Sequence, residues 1–176
     1  MIAFALSLAL LQVPSPPGTP AYPPPAPTPI VEGKGGPTFS IPRIEEQITI
    51  DGRLDEPAWS KAAHLGGFSE YQPVDSQPAS ERTEALIWFS PKALHVGIIA
   101  HDSVPGSVRA TVADRDNIAN DDWVRVYLDT FNDRRRAFIF GVNPLGVQED
   151  GVQTEGGFSA GITRGGGGGG NRKSVV

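Results

Sequence analysis

The chain has 176 residues, which is enough for one domain and hardly enough for two. Its formal net charge of −5 argues against nucleic acid as a partner, because phosphate contacts need a basic surface. The sequence has no cysteine, which excludes a disulfide framework, thiol catalysis and thiolate metal sites.

The N-terminal part predicts export. Residues 1–12, MIAFALSLALLQ, form an apolar segment that is too short to span a bilayer and fits the hydrophobic region of a signal peptide. Because no Lys or Arg precedes the apolar run, two alternatives stay open: a true start upstream of Met1, or an anchor remnant. Residues 13–38 are rich in proline and glycine, which predicts an extended, disordered spacer. We therefore expect an exported protein in the periplasm, at the outer membrane or outside the cell.

The folded part is expected over residues 39–164, and its first half reads as β-structure. The run RIEEQITI leads into Asp51 and Gly52, a strong turn pair. Two β-rich runs follow, RTEALIWF and ALHVGIIAHD, and the short link SPK between them predicts a hairpin. Between these features, EPAWSKAAH predicts one short helix with Asp55 as its N-cap and Pro57 in its first turn. Asp55 and Glu56 are accordingly interpreted as architectural rather than catalytic.

The second half continues the pattern of short strands. DWVRVYLDT alternates, with one face expected in the core and the other facing outward; the core face is Val124, Val126 and Leu128, and the outward face is Trp123, Arg125 and Tyr127. RRAFIFGVN and GVQEDGVQ predict two more strands. The arginine run Arg134–Arg136, which follows TFND, is interpreted as a solvated turn. The predicted fold class is all-β, an antiparallel jelly-roll-like β-sandwich with one short helix.

Four motifs occur in an order that points to a family: ITIDGRLDEPAW, ALIWFSPKALHVGIIAHD, RDNIANDDWVRVYLDTFND and FGVNPLGVQEDG. Over roughly residues 41–151 the chain resembles the family 9 carbohydrate-binding modules and their DOMON-like relatives. The resemblance is greatest to the version at the N-terminus of bacterial outer-membrane proteins, ahead of a C-terminal β-barrel of unknown function. It implies a β-sandwich that binds oligosaccharides or polysaccharides, is often appended to glycoside hydrolases, and holds calcium in some members.

The resemblance also implies strands beyond those present. In such domains further strands follow the NPLGVQEDG segment, whereas here residues 165–176 form a glycine-rich tail. We therefore expect a truncated sandwich with an unpaired sheet edge, which favours association.

The acidic loop DRDNIANDD is the candidate metal site. Calcium takes six to eight oxygen ligands, and carboxylates in one loop can supply several of them. The candidate ligands are Asp114, Asp116, Asp121 and Asp122. A solvated, turn-forming loop is the alternative interpretation. Haem with Met and His ligands is not expected, because the only methionine is Met1, in the predicted signal segment. A zinc site is not expected either, because the three histidines lack the spacing of zinc ligands. No nucleotide is expected.

Sugar binding needs flat aromatic faces together with polar groups that reach hydroxyls. Trp123 with Arg125 and Tyr127 is the predicted ligand surface, and Trp88 is a candidate second wall. The predicted function is a non-catalytic carbohydrate-binding module; a structural or protein-interaction domain of an outer-membrane barrel protein is the alternative. No enzyme activity is expected. GFSAG at residues 157–161 matches a nucleophile motif only by chance, because no histidine or acid follows it.

Overall fold

The computed structural model describes residues 5–6, 27–28, 31–33, 36–70, 77–104, 106–154 and 157–160. The elements are β1 (Ala5–Leu6), β2 (Val31–Gly33), β3 (Gly36–Thr38), a 3-10 turn (Trp59–Lys61), β4 (Ala63–Leu65), β5 (Ser69–Glu70), β6 (Gln77–Pro78), β7 (Thr83–Phe89), β8 (Leu94–Ala100), β9 (Val124–Leu128), β10 (Arg136–Val142), β11 (Gln148–Thr154) and β12 (Gly157–Ala160).

The predicted all-β fold is confirmed. One four-stranded sheet has the order β1-β8-β7-β4 and a second has the order β12-β11-β10-β9, and two two-stranded sheets pair β2 with β3 and β5 with β6. All pairs are antiparallel except β1 with β8. The chain divides into two compact units, the described residues up to Ser103 and those from Val104 onward.

The first unit is built on the predicted hairpin of β7 and β8. Its register runs from Thr83 opposite Ala100 to Phe89 opposite Leu94, and the turn closes where Ser90 N–H donates to the carbonyl of Ala93 at 2.8 Å. Strand β4 pairs with the other edge of β7. The SPK link therefore forms the short connection that its sequence predicted.

The core of this unit contains Trp59 and Trp88, both fully buried, with their ring centroids 5.9 Å apart in an edge-to-face arrangement. Leu54 and Trp59 approach the backbone of Gly97 so closely that a Cβ there would lie 2.8 Å from Leu54 Cδ2 and 3.0 Å from Trp59 Cζ3. A side chain at position 97 would therefore overfill the core.

The predicted short helix is reduced to one 3-10 turn, and its N-cap is Ala58, not Asp55. Asp55 is exposed, and the prediction that it caps the helix is wrong. Glu56 has the structural role instead: its carboxylate accepts the Nε1–H of Trp59 at 3.0 Å and the backbone N–H of Thr49 at 2.9 Å. This carboxylate satisfies the indole, which would otherwise bury a donor without a partner.

The preceding turn forms as predicted. Asp51 Oδ1 accepts the backbone N–H of Arg53 at 2.9 Å, and Gly52 adopts a φ of 83°, in the left-handed region that favours glycine.

The second unit is a meander of β9, β10 and β11, with β12 on its outer edge. Seven residue pairs join β10 to β11, from Arg136 opposite Thr154 to Val142 opposite Gln148. The three strands predicted in this region are present. Ser159 of the GFSAG motif lies in β12 opposite Val152, so its backbone is part of a sheet ladder rather than of a strand-to-helix turn.

Parts of the N-terminal segment are described. Ala5–Leu6 pairs with His95 and Val96 of β8. The backbone N–H of Thr28 donates to the carbonyl of His64, and the Thr28 hydroxyl accepts the backbone N–H of His64. Strands β2 and β3 form a small hairpin within the predicted spacer. The rest of the predicted signal segment and spacer, and the glycine-rich tail, lie outside the described residues. Among the described residues, no helix is long and apolar enough to cross a membrane.

Candidate functional site

Trp88 is not available to a ligand. It is fully buried, one face is stacked on His95 with ring centroids 3.7 Å apart and an interplanar angle of 11°, and Trp59 meets it at an edge. The expectation that Trp88 forms a wall of a sugar site is therefore corrected: its surface is used for packing in the first unit.

Trp123 and Arg125 lie together, as the alternation predicted, but they do not form an open aromatic surface. The guanidinium carbon of Arg125 lies 3.8 Å from the ring centroid of Trp123, in a cation–π contact that covers one ring face. The same guanidinium donates to both carboxylate oxygens of Glu149, at 2.6 Å from Nε and 2.9 Å from Nη2. Arg125 is thus held by two partners of its own chain.

The Arg125–Glu149 pair crosses over Gly141 of β10. A Cβ at Gly141 would lie 2.9 Å from Glu149 Oε2 and 3.1 Å from Arg125 Cγ, so glycine provides the space for the pair. The side chains are 16% and 3% exposed, which makes this a largely buried ion pair. The prediction that this face is open to solvent is wrong at Arg125 because the guanidinium is folded back onto the sheet.

Tyr127 is the most open member of the predicted ligand surface, with 49% of its area exposed. Its neighbour on β10 is Ile139, which is fully buried. On the other face, Val124, Val126 and Leu128 are only partly buried. The predicted alternation is present, but burial does not divide cleanly between the two faces.

Asp121 is the centre of a hydrogen-bond network in the second unit. Its carboxylate accepts the Thr111 hydroxyl at 2.9 and 3.0 Å, the Thr111 backbone N–H at 3.1 Å and Asn143 Nδ2 at 2.8 Å. Burial of the carboxylate would raise its pKa, but the bonds from Asn143 and Thr111 and the charge of Arg109 outweigh burial. The pKa of Asp121 consequently lies below its usual value.

The other predicted metal ligands have separate roles. Asp122 Oδ2 accepts the backbone N–H of Arg109 at 2.8 Å, and Asp116 Oδ1 accepts that of Asp150 at 2.9 Å. Asp114 is exposed, and its carbonyl accepts the N–H of Asn117 at 3.2 Å. In the part of the chain that the structure describes, no three acidic or histidine side chains are arranged to hold a metal ion. Asp116, Asp121 and Asp122 each accept hydrogen bonds from their own chain, and calcium binding stays a prediction from the sequence.

A cleft of about 500 Å³ opens beside Asp121. Its lining consists of Val108, Arg109, Ala110, Thr111, Ala113, Asn117, Asn120 and Asp121. The polar members include a guanidinium, two amides, a hydroxyl and a carboxylate, and together they offer both donors and acceptors. The volume is in the range of small-molecule sites. Of the residues predicted to bind a ligand or a metal, only Asp121 lines this cleft.

The first unit contains a charged cluster that the sequence did not indicate. The buried Glu84 receives hydrogen bonds from His64 at 2.7 Å and His101 at 3.1 Å, and Arg82 lies 3.0 Å away. Burial would raise the pKa of Glu84, but the bonds from the two histidines and the charge of Arg82 lower it overall. A smaller cleft of about 300 Å³ is lined in part by His64, Arg82 and Glu84.

Sheet pairing explains why sequence spacing misses both groups. His64, Glu84 and His101 come from β4, β7 and the residue after β8, which are neighbours only in the sheet. Thr111 is connected to Asp121 and Asn143 through loops, and no periodic pattern marks such contacts.

The fold and the site thus define an all-β protein with a polar cleft in its second unit and tryptophans that serve mainly in packing. Comparisons of the chain with models of protein families, with curated proteins and with solved structures find no match.

Proposed function

We propose that this protein is a non-catalytic carbohydrate-recognition domain whose ligand occupies the cleft beside Asp121. The mixed donor and acceptor lining of this cleft is the observation that carries the proposal. A sugar hydroxyl both donates and accepts, so it pairs well with the amides of Asn117 and Asn120 and with the guanidinium of Arg109. The resemblance to family 9 carbohydrate-binding modules supports the same ligand class.

The chemistry of Asp121 supports recognition rather than catalysis. A general acid in a glycosidase needs a raised pKa, whereas the pKa of Asp121 is lowered. Its two oxygens already accept bonds from Thr111 and Asn143. The carboxylate therefore fixes the wall of the cleft, and the exposed amides at its rim are the groups that contact the ligand.

Titration calorimetry with a panel of neutral and acidic oligosaccharides tests the proposal. We expect saturable binding of at least one sugar, and a loss of affinity on the order of tenfold in Asn117→Ala and in Asn120→Ala, since each removes one polar contact. Gln47→Ala, which removes an exposed amide in the first unit, is the matched control and should bind normally.

Two results would contradict this assignment. Sugar binding that is lost in Trp123→Ala but kept in both asparagine variants would move the site to the aromatic surface at β9. The absence of binding across the whole panel would leave the second candidate function.

That second candidate is a structural or protein-interaction domain, and one observation favours it. Trp88 has no free face, and one face of Trp123 is covered by Arg125, so the aromatic stacking typical of sugar sites is restricted. Export, which rests on the apolar segment at residues 1–12, and association with an outer-membrane barrel, which rests on the sequence resemblance, are proposals that accompany either function.

A further inference from the structure

Residues 129–136, the turn between β9 and β10 with the first residue of β10, have a fixed and unusual backbone. Asn132 and Arg134 adopt φ values of 53° and 55°, in the left-handed region that residues other than glycine rarely enter. Asp129 holds this conformation by accepting the backbone N–H groups of Phe131, Asp133 and Arg134, at 3.1, 3.3 and 2.7 Å. Such backbone conformations cost free energy, and they persist here because the bonds to Asp129 hold the turn. We call residues 129–136, together with Phe138, the hairpin tip.

The hairpin tip exposes two aromatic rings side by side. Phe131 and Phe138 are 57% and 38% exposed, and their ring centroids are 6.4 Å apart. The guanidinium of Arg136 lies 4.3 Å above the Phe131 ring, and Asp133 fixes it there through contacts at 3.2 Å to Nε and 3.0 Å to Nη2. Aromatic residues and arginine are the types most enriched where protein interfaces gain their affinity.

Charge indicates the chemistry of the partner. The tip contains three consecutive exposed arginines, Arg134 to Arg136, in a chain whose net charge is −5. Two carboxylates, Asp129 and Asp133, lie in the same turn. A uniformly anionic surface such as a lipid bilayer would meet those carboxylates as well as the arginines. A peptide can place its own carboxylates at the arginines alone, with an apolar side chain on the phenylalanine rings.

We propose that the hairpin tip binds an acidic segment of a protein partner in which Asp or Glu residues flank an aromatic or aliphatic side chain. The partly exposed rings of Phe131 and Phe138 supply the apolar contact. The guanidinium of Arg136, which Asp133 holds over Phe131 through Nε and Nη2, directs its remaining N–H donors to a carboxylate of the partner. This surface lies outside the cleft beside Asp121, so the proposal stands or fails independently of carbohydrate binding.

Selection from a displayed library of random twelve-residue peptides tests the proposal. The full chain is the target, and the Phe131→Ser/Arg136→Gln double variant is used for counter-selection. We expect enriched peptides to contain Asp or Glu around an apolar residue. Fluorescence polarisation should show that their affinity falls on the order of tenfold or more in each single variant and weakens with added salt.

Two control variants separate the tip from other surfaces. Phe89→Ser removes another exposed phenylalanine, 39% exposed, in the first unit, and Asn117→Ala alters the cleft. Both should bind the selected peptides as the unchanged protein does, and circular dichroism of the Phe131 and Arg136 variants should match it. Failure to enrich any peptide, or enrichment of peptides without acidic residues, would overturn the proposal. Sedimentation with phosphatidylglycerol vesicles that depends on Arg136 would also overturn it, in favour of a membrane.

Discussion

Arg125 and Glu149 form a two-bond ion pair across the face of β10, directly over Gly141. Their side chains are 16% and 3% exposed, so each charge depends on the other for its solvation. Removing one partner leaves a buried charge unpaired, which costs about 3–5 kcal/mol, whereas replacing both by apolar groups can cost much less.

We therefore expect Arg125→Met and Glu149→Gln each to lower the free energy of unfolding by several kcal/mol, roughly 3–5. The Arg125→Met/Glu149→Leu double variant should lose less than the sum of the corresponding single changes. Urea unfolding of the unchanged protein, Arg125→Met, Glu149→Leu and the double variant measures the coupling free energy between the two side chains. Additive losses would mean that the two side chains do not depend on each other.

Glu56 and Asp55 provide a direct comparison of neighbouring carboxylates. Glu56 accepts bonds from Trp59 Nε1 and from the Thr49 backbone, whereas Asp55 is exposed and does not cap the 3-10 turn. Glu56→Ala should cost about 1–3 kcal/mol because it leaves the buried indole donor unpaired. Asp55→Ala should change stability by no more than about 0.5 kcal/mol. Chemical denaturation monitored by tryptophan fluorescence distinguishes them, and equal losses would restore the capping role to Asp55.

The local pattern of the sequence was sufficient to predict most strands. The β-rich runs around SPK became the β7–β8 hairpin, and the alternation from Trp123 to Leu128 became β9 and its entry. The position of Trp88 was not predictable in the same way. Three successive residues of β7, Glu84, Ala85 and Leu86, are all buried, so both faces of this strand are covered and alternation carries no information about which one is outward.

The candidate site depends on pairing between distant strands and loops, which is why less of it could be predicted. Glu149 meets Arg125 only because β10 brings β9 and β11 into register at Gly141. Likewise, the carboxylate of Asp121, which the sequence predicted as a calcium ligand, accepts hydrogen bonds from Thr111 and Asn143.

His95 should make the protein sensitive to mild acid. Its ring is stacked on Trp88, and burial lowers its pKa below the usual 6.5, so the folded state favours the neutral ring. Below about pH 6.5 the unfolded state therefore binds more protons than the folded state. The free energy of unfolding falls as the pH is lowered, by at most about 1.4 kcal/mol per pH unit for this one group.

Replacing the ring tests this dependence. His95→Phe keeps an aromatic ring against Trp88 and cannot be protonated, so its free energy of unfolding, measured in urea, should fall less between pH 7.5 and pH 5.5 than that of the unchanged protein. Ser90→Ala removes the hydroxyl that lies 3.3 Å from His95 Nε2 and should keep the dependence of the unchanged protein. If His95→Phe has the same pH dependence as the unchanged protein, the acid sensitivity comes from other groups.

Asp121 should stabilise the second unit as an ionised acceptor, whether or not calcium is present. Asp121→Asn turns one acceptor oxygen into a donor that faces the donors of Thr111 and Asn143, and we expect a loss of about 1–3 kcal/mol. Because the pKa of Asp121 is lowered in the folded state, its contribution is present above its usual value of 3.8 and is lost as pH falls through the folded value. The difference in free energy of unfolding between the two proteins should accordingly narrow below about pH 4.

Thermal unfolding in calcium and in EDTA completes the test, and the loss of stability in Asp121→Asn should be the same in both. A rise in melting temperature with calcium that the variant abolishes would instead show that the acidic loop binds the ion, with Asp121 released from its present partners.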